Sequence, residues 1–116
     1  MEAEERGEKL PQPAVEEIDI VRLLQAVADP VRLHLLRVYA EGHEDGCSSE
    51  ALDLGYLHKS TISHHLRVMR EAGLTSTWAV GRQRIVRLRR ADLEARFPGL
   101  LDSLIGAARE VAPQRH

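Results

Sequence analysis

Four side chains between residues 60 and 67 could form hydrogen bonds from one side of a helix. Ser60, Ser63, His64 and Arg67 are spaced i, i+3, i+4 and i+7, so an α-helix would place them on a single face. Serine hydroxyls donate and accept, an imidazole can do either, and a guanidinium can donate two parallel hydrogen bonds. The chemistry that this pattern favours is recognition of a hydrogen-bonding partner.

A helix over residues 59–72 would carry these four side chains. Ile62, Leu66 and Met69 supply an apolar stripe at i, i+4 and i+7 beside the polar face. Gly73 follows and suits a left-handed C-terminal cap, which would end the helix. At about 1.5 Å per residue the helix would be roughly 20 Å long, a suitable length for entering a DNA major groove.

Two β-rich runs follow this helix and predict a hairpin. The runs LTSTWAV (74–80) and QRIVRLRR (83–90) flank Gly81 and Arg82, which we expect to form the turn. Together with a shorter preceding helix predicted over residues 50–54, the order helix, turn, helix and basic hairpin predicts a winged helix-turn-helix. The predicted fold class is therefore mainly α-helical with a two-stranded β-hairpin wing.

The charge distribution supports a polyanionic partner, although the formal net charge is only -2. Residues 59–90 hold 8 basic side chains and 1 acidic side chain, whereas residues 1–29 hold 3 basic and 8 acidic ones. Positive charge concentrated on one helix and one hairpin is typical of a nucleic-acid-binding surface. An arginine-rich strand face that is merely solvated is the alternative that the sequence leaves open.

Double-stranded DNA is the partner that these side chains favour, with the helix in the major groove and hairpin residues 74–90 on the phosphate backbone. A winged-helix module that binds another protein stays as an alternative, but such surfaces are usually rich in aromatic residues. The residues predicted to contact DNA are Lys59, Ser60, Thr61, Ser63, His64, Arg67, Arg70, Arg82, Gln83 and Arg84.

The rest of the chain predicts one small domain with short termini. We expect an acidic, disordered arm over residues 1–14, a DNA-binding and dimerisation domain over residues 15–112, and a frayed end over residues 113–116. No apolar run is long enough to span a membrane and no secretory signal is recognisable, so we expect no membrane partner and a cytoplasmic location.

Helices at both ends of the domain predict a homodimer. Residues 15–28 and 100–112 are each apolar on more than one side, which a lone surface helix does not require. Asp29 and Pro30 predict the cap and first position of another helix that runs to about Ala40. The residues predicted to form a twofold interface are Ile18, Val21, Leu24, Leu101, Leu104, Ile105 and Ala108.

Three stretches resemble the bacterial ArsR/SmtB (arsenic-repressor) family of small winged-helix transcriptional regulators. They are ADPVRLHLLRVYAEG (28–42), KSTISHHLRVMREAGL (59–74) and VGRQRIVRLRR (80–90), and the resemblance covers most of residues 15–112. It implies a homodimer that binds an inverted-repeat operator. It also implies that the protein usually represses transcription until an effector releases the DNA.

The positions through which members of this family sense metals are altered here. The family's Cys-x-Cys pair near the short helix corresponds to Cys47, Ser48 and Ser49, and no histidine occurs on the last helix. We therefore expect no metal site, no cofactor and an effector other than a thiolate-bound metal. A small molecule, a separate sensor protein, or metal or redox sensing through Cys47 are the alternatives for regulation.

The histidines predict contacts rather than chelation or catalysis. His64 and His65 are adjacent, so their side chains would point about 100° apart on a helix, which suits chelation poorly. We expect His64 on the DNA face, His65 half-buried and His34 exposed to solvent. No orienting carboxylate or oxyanion donor is recognisable beside Cys47 or a histidine, so we expect no enzymatic activity.

Overall fold

The structure, a computed structural model, describes residues 7–44, 46, 52 and 54–111. Its helices are α1 (Ile20–Val27), α2 (Pro30–Ala40), α3 (Lys59–Glu71), α4 (Arg90–Arg96) and α5 (Leu100–Ala108), with a short 3-10 helix at Val15–Glu17. Its strands are β1 (Glu8–Lys9), β2 (Thr75–Val80) and β3 (Gln83–Leu88). None of the helices in the described ranges has the length and apolar character needed to cross a membrane.

The helix that the sequence predicts over residues 15–28 is divided in two. The 3-10 helix ends at Glu17, and α1 begins after Asp19, whose side chain accepts a hydrogen bond from the Arg22 amide at 3.2 Å. The break directs Ile18 into the core, where its side chain is only 1% exposed. A single continuous helix is therefore wrong, because Asp19 caps a new one.

The predicted start of α2 is confirmed. The Asp29 carboxylate accepts hydrogen bonds from the amides of Val31 at 2.8 Å and Arg32 at 3.1 Å, and Pro30 occupies the first helical position. Leu35 and Leu36 are completely buried, so α2 crosses the centre of the core.

The helix predicted over residues 59–72 is confirmed as α3, and so is its predicted end. Ile62, Leu66 and Met69 are buried, which leaves the polar side of the helix facing outward. Gly73 has a φ of +91°, and a Cβ at this position would lie 2.7 Å from Cγ1 of Ile18. Both the conformation and the close approach therefore require glycine at this end of α3.

The predicted hairpin is also confirmed. β2 and β3 pair antiparallel, with Thr77 opposite Val86, and Gly81 and Arg82 form the turn, which we call the wing tip. Val86 is fully buried, so one face of the hairpin packs on the helices. The fold is a winged helix-turn-helix, mainly helical with a β-hairpin wing, as the sequence predicts.

A third strand, which the sequence does not predict, pairs with the outer edge of β2. Glu8 lies opposite Ala79 and Lys9 opposite Trp78, giving the sheet order β1-β2-β3. The expectation of a disordered arm is therefore wrong for residues 8 and 9. The edge of β2 offers unpaired backbone groups, and the Lys9 ammonium lies 5.4 Å from the centre of the Trp78 ring, which favours this pairing.

The free edge of β3 is joined by the segment that follows α2. The Val86 amide donates to the Glu44 carbonyl at 2.7 Å, and the Gly46 amide donates to the Arg84 carbonyl at 2.9 Å. These bonds fix the wing against the body of the domain from its second side. The short helix predicted over residues 50–54 lies mostly outside the described residues, although Leu52 and Leu54 are fully buried.

Candidate nucleic-acid interface

The polar face of α3 is exposed over its whole length. Lys59, Ser60, Ser63, His64 and Arg67 are all exposed, and Thr61 beside them is half-buried. Within the described residues no side chain caps the first turn of α3, although the Thr61 amide donates to the His58 carbonyl at 3.0 Å. The exposed side chains of this face can therefore offer hydrogen bonds to an anionic partner.

The structure brings the start of α3 and the wing tip together around one groove. Lys59, Ser63, Arg82 and Arg84 line it with two glycines, Gly46 and Gly81, and its volume is about 480 Å³. We call it the helix-wing groove. Three cationic side chains from two elements converge there, which creates a positive concavity suited to phosphate groups.

The geometry around His64 determines which hydrogen bonds its ring can form. A nitrogen of the Arg67 guanidinium lies 3.3 Å from Nδ1 of His64. Because a guanidinium only donates, Nδ1 must accept, and the neutral ring then carries its proton on Nε2. His64 therefore offers an N–H donor, which would suit the acceptor atoms of guanine or thymine in a major groove.

Arg70 differs from the other residues predicted to contact DNA. It is half-buried, and its Nε donates to the Pro11 carbonyl at 3.1 Å. The structure thus uses Arg70 to hold the N-terminal segment against the end of α3. On the wing, Arg82 and Gln83 are exposed, and Arg84 donates to the Gln83 carbonyl at 3.2 Å.

Arginines at the base of the wing stabilise the fold, a role that the sequence pattern does not indicate. Arg89 is only 7% exposed and donates to the Pro13 carbonyl at 2.8 Å and to Asp92 at 3.0 Å. Arg87 forms an ion pair with Glu44 at 2.5 Å. The positive charge of the hairpin is therefore divided between an outward tip and an inward base.

His65 is half-buried, as the sequence predicts, and joins two helices. A nitrogen of the Arg32 guanidinium on α2 lies 3.0 Å from Nδ1 of His65 on α3, which again requires a neutral acceptor ring. Burial lowers the pKa of His65; nearby Asp29 opposes this shift, and Arg32 adds to it. His65 thus supports α3 from behind and does not belong to its outward face.

His34 is buried, and the expectation that it faces solvent is wrong. It is 2% exposed, its Nε2 donates to the Leu52 carbonyl at 2.7 Å, and its Nδ1 accepts from Arg37 at 3.2 Å. The physical reason is that α2 is covered on several sides, including by the segment around Leu52. The run LHLLRVYA, which has few polar residues, was the signal in the sequence.

The predicted dimer residues separate into two groups. Val21 is 57% exposed, Leu24 is 43% exposed, and Leu104 is half-buried. The other four lie in the core of the single chain, where they pack against its own helices and are not available to a partner. They are Ile18, Leu101, Ile105 and Ala108, each 5% exposed or less.

In the described part of the chain, no three His, Cys, Asp or Glu side chains lie close enough to hold a metal ion. Cys47, Ser48, Ser49 and His116 fall outside the described residues. The prediction about the effector therefore stays a prediction.

Comparison with known proteins places this architecture in a family. A family model described as bacterial regulatory protein, arsR family, matches residues 29–77, which include α2, α3 and the start of β2. The chain is also 34% identical over 84 residues to a Bacillus subtilis (strain 168) protein named uncharacterized HTH-type transcriptional regulator YceK. The alignment covers 72% of this chain and 83% of that protein. The chain therefore belongs to the arsR family of bacterial regulatory proteins and is a DNA-binding transcriptional regulator, not an enzyme.

Proposed function

We propose that this regulator binds an inverted-repeat operator as a homodimer in the cytoplasm and represses the transcription that starts there. The observation that carries the proposal is the helix-wing groove, where Lys59 and Ser63 of α3 meet Arg82 and Arg84 of the wing. A dimer bound at a promoter would block the access of other proteins to the same stretch of duplex.

The two sides of this surface have different tasks in the proposal. The exposed residues Ser60, Ser63, His64 and Arg67 of α3 enter the major groove and contact base edges, with Thr61 beside them. Lys59, Arg82, Gln83 and Arg84 contact phosphates, which fixes the position of α3 on the duplex. Arg70 has an indirect role in this proposal. Its Nε donates to the Pro11 carbonyl and so holds the N-terminal segment against the end of α3.

The proposed dimer uses the apolar residues that one chain leaves uncovered. Val21 and Leu24 are separated by one helical turn on α1 and are exposed, and Leu104 on α5 is half-buried. Burying such side chains against a second copy is favourable, at about 25 cal/mol for each Å² of apolar surface. A twofold dimer would present two α3 helices to two half-sites of opposite orientation.

The effector in this proposal is not a thiolate-bound soft metal. The sequence holds one cysteine, and a soft ion requires several thiolates. A small molecule, a separate sensor protein or oxidation of Cys47 would have to supply the signal for release.

Selection from a random duplex library tests the proposed operator. The wild-type protein should enrich an inverted repeat whose half-sites are about 10 base pairs apart, or a multiple of that spacing. The control variant is Arg109→Ala, because Arg109 is exposed at the end of α5, outside the proposed DNA surface. This variant should enrich the same repeat as the wild type. Enrichment of sequences without repeat symmetry would contradict the dimeric operator, and no enrichment at all would contradict specific binding.

A further inference from the structure

The N-terminal strand enters the structure beside the proposed DNA surface. β1 is antiparallel to β2, with Glu8 opposite Ala79 and Lys9 opposite Trp78. Since β2 runs from Thr75 toward the wing tip, the chain that precedes Glu8 is directed toward that tip. Glu8 is paired with Ala79, and Ala79 is paired with Arg84 on β3, so the three side chains lie on the same face of the sheet.

Three hydrogen bonds to different parts of the domain fix the segment that follows β1. The Leu10 amide donates to the Thr77 carbonyl at 2.9 Å, Arg70 of α3 donates to Pro11 at 3.1 Å, and Arg89 donates to Pro13 at 2.8 Å. The residues before Glu8 therefore start from a fixed point next to the wing. A segment tethered in this way has an effective concentration on the order of millimolar near its anchor.

The charges of the tethered segment and of the groove are opposite. The sequence MEAEER (1–6) contains three glutamates and one arginine, and Glu8 follows. The groove presents Lys59, Arg82 and Arg84. Six residues reach at most about 20 Å when extended, whereas β1 and β3 are two strand spacings of about 4.8 Å apart in the sheet.

We propose that residues 1–6 dock in the helix-wing groove and compete with DNA phosphates for its cationic side chains. The inference rests on the proposed function, because it assumes that the groove holds the DNA backbone. Carboxylates near Arg82 and Arg84 would have to leave before phosphates could bind. Such a competitor lowers the affinity for duplex of any sequence, so the complex depends more strongly on the base contacts of α3.

Neutralising the segment tests this competition. The variant Glu2→Gln/Glu4→Gln/Glu5→Gln should bind random duplex about 3- to 10-fold more tightly than wild type at about 50 mM salt. The difference should shrink at about 300 mM salt, because exposed charges are then screened. Fluorescence anisotropy with a labelled random duplex measures both affinities.

The matched control changes the net charge equally but elsewhere. Glu16, Glu41 and Glu110 are exposed on other parts of the domain, and their triple change to Gln removes the same three negative charges. This control should alter the affinity by about twofold or less, through the long-range field alone. Equal gains in the two variants would overturn the proposal, because the effect would then be one of net charge.

A measurement without DNA separates this inference from the proposed function. In ¹⁵N-labelled protein, the first variant should shift the backbone amide signals of Gly81, Arg82 and Arg84, whereas the control should leave them in place. Unchanged amide signals would overturn the docking, whatever the DNA result. If neither protein bound duplex, the proposed function would fail, while shifted wing amides would still support docking of residues 1–6 in the groove.

Discussion

At the scale of single residues, base contacts and phosphate contacts should respond differently to substitution. Ser63 and His64 are exposed on α3, and the hydrogen bond from Arg67 leaves His64 Nε2 as a donor. Ser63→Ala or His64→Ala should reduce discrimination between operator and random duplex by about 1 to 3 kcal/mol for each lost base contact. Arg84→Ala should weaken both duplexes by similar factors. The opposite pattern, with Arg84→Ala alone changing sequence preference, would reverse the two assignments.

A second residue-scale prediction concerns pH. Burial lowers the pKa of His65 in the folded protein below its ordinary value of 6.5, so the unfolded chain binds the proton more readily. The contribution of His65 to the free energy of unfolding is therefore fully present above the pKa of the unfolded chain, and it is lost as the pH falls through the pKa of the folded protein. Urea unfolding of wild type and His65→Gln at several pH values isolates this contribution. The wild type should lose more stability than the variant below about pH 6.5, and parallel curves would contradict the prediction.

His34 shows a limit in predicting the burial of a single side chain from sequence patterns. The stripe that contains Leu35 predicts which side of α2 faces the core, and Leu35 is indeed fully buried. The burial of His34 depends on the carbonyl of Leu52, 18 residues away, which accepts its hydrogen bond. A contact of this kind is set by the packing of two segments, and helical periodicity carries no information about it.

At the scale of elements, the end of α3 should be sensitive to a single methyl group. Gly73 has a φ of +91°, and a Cβ there would approach Ile18 to 2.7 Å, so Gly73→Ala should lower the free energy of unfolding by about 1 to 3 kcal/mol. Gly106 is the matched control because nothing lies within 4 Å of a Cβ built on it inside α5. Gly106→Ala should raise stability by about 0.5 to 1 kcal/mol. Urea unfolding midpoints measure both changes, and equal effects would contradict this account of the turn.

The elements that the sequence predicts correctly have local signals. α2 has Asp29 and Pro30 at its start, α3 has Gly73 at its end, and the hairpin has two β-rich runs around Gly81. β1 could not be predicted because two residues have no measurable periodicity, and its pairing depends on the edge that β2 offers. The break before α1 did have a local signal, the capping residue Asp19, which competes with the apolar pattern around it.

At the scale of the whole molecule, the proposed dimer predicts that two exposed residues hold two copies together. Val21→Glu/Leu24→Glu places charges on the uncovered face of α1, where both side chains are more than 40% exposed. The variant should fold like the wild type but sediment as a monomer, and it should bind operator DNA far more weakly. The control Glu16→Gln should sediment as a dimer. A double variant that still sediments as a dimer would remove α1 from the proposed interface.

The salt dependence of operator binding tests the central claim most directly, because a basic helix-wing surface must displace counterions from DNA. About 6 to 10 phosphate contacts per dimer predict a slope of roughly -5 to -9 in a plot of log affinity against log salt. Arg82→Ala/Arg84→Ala should make the slope shallower by about 1 for each phosphate contact removed, whereas Arg109→Ala should leave it unchanged. Fluorescence anisotropy with one labelled operator at several salt concentrations gives all three slopes. A wild-type affinity that did not change with salt, or equal slopes in the wing variant and the wild type, would contradict the account.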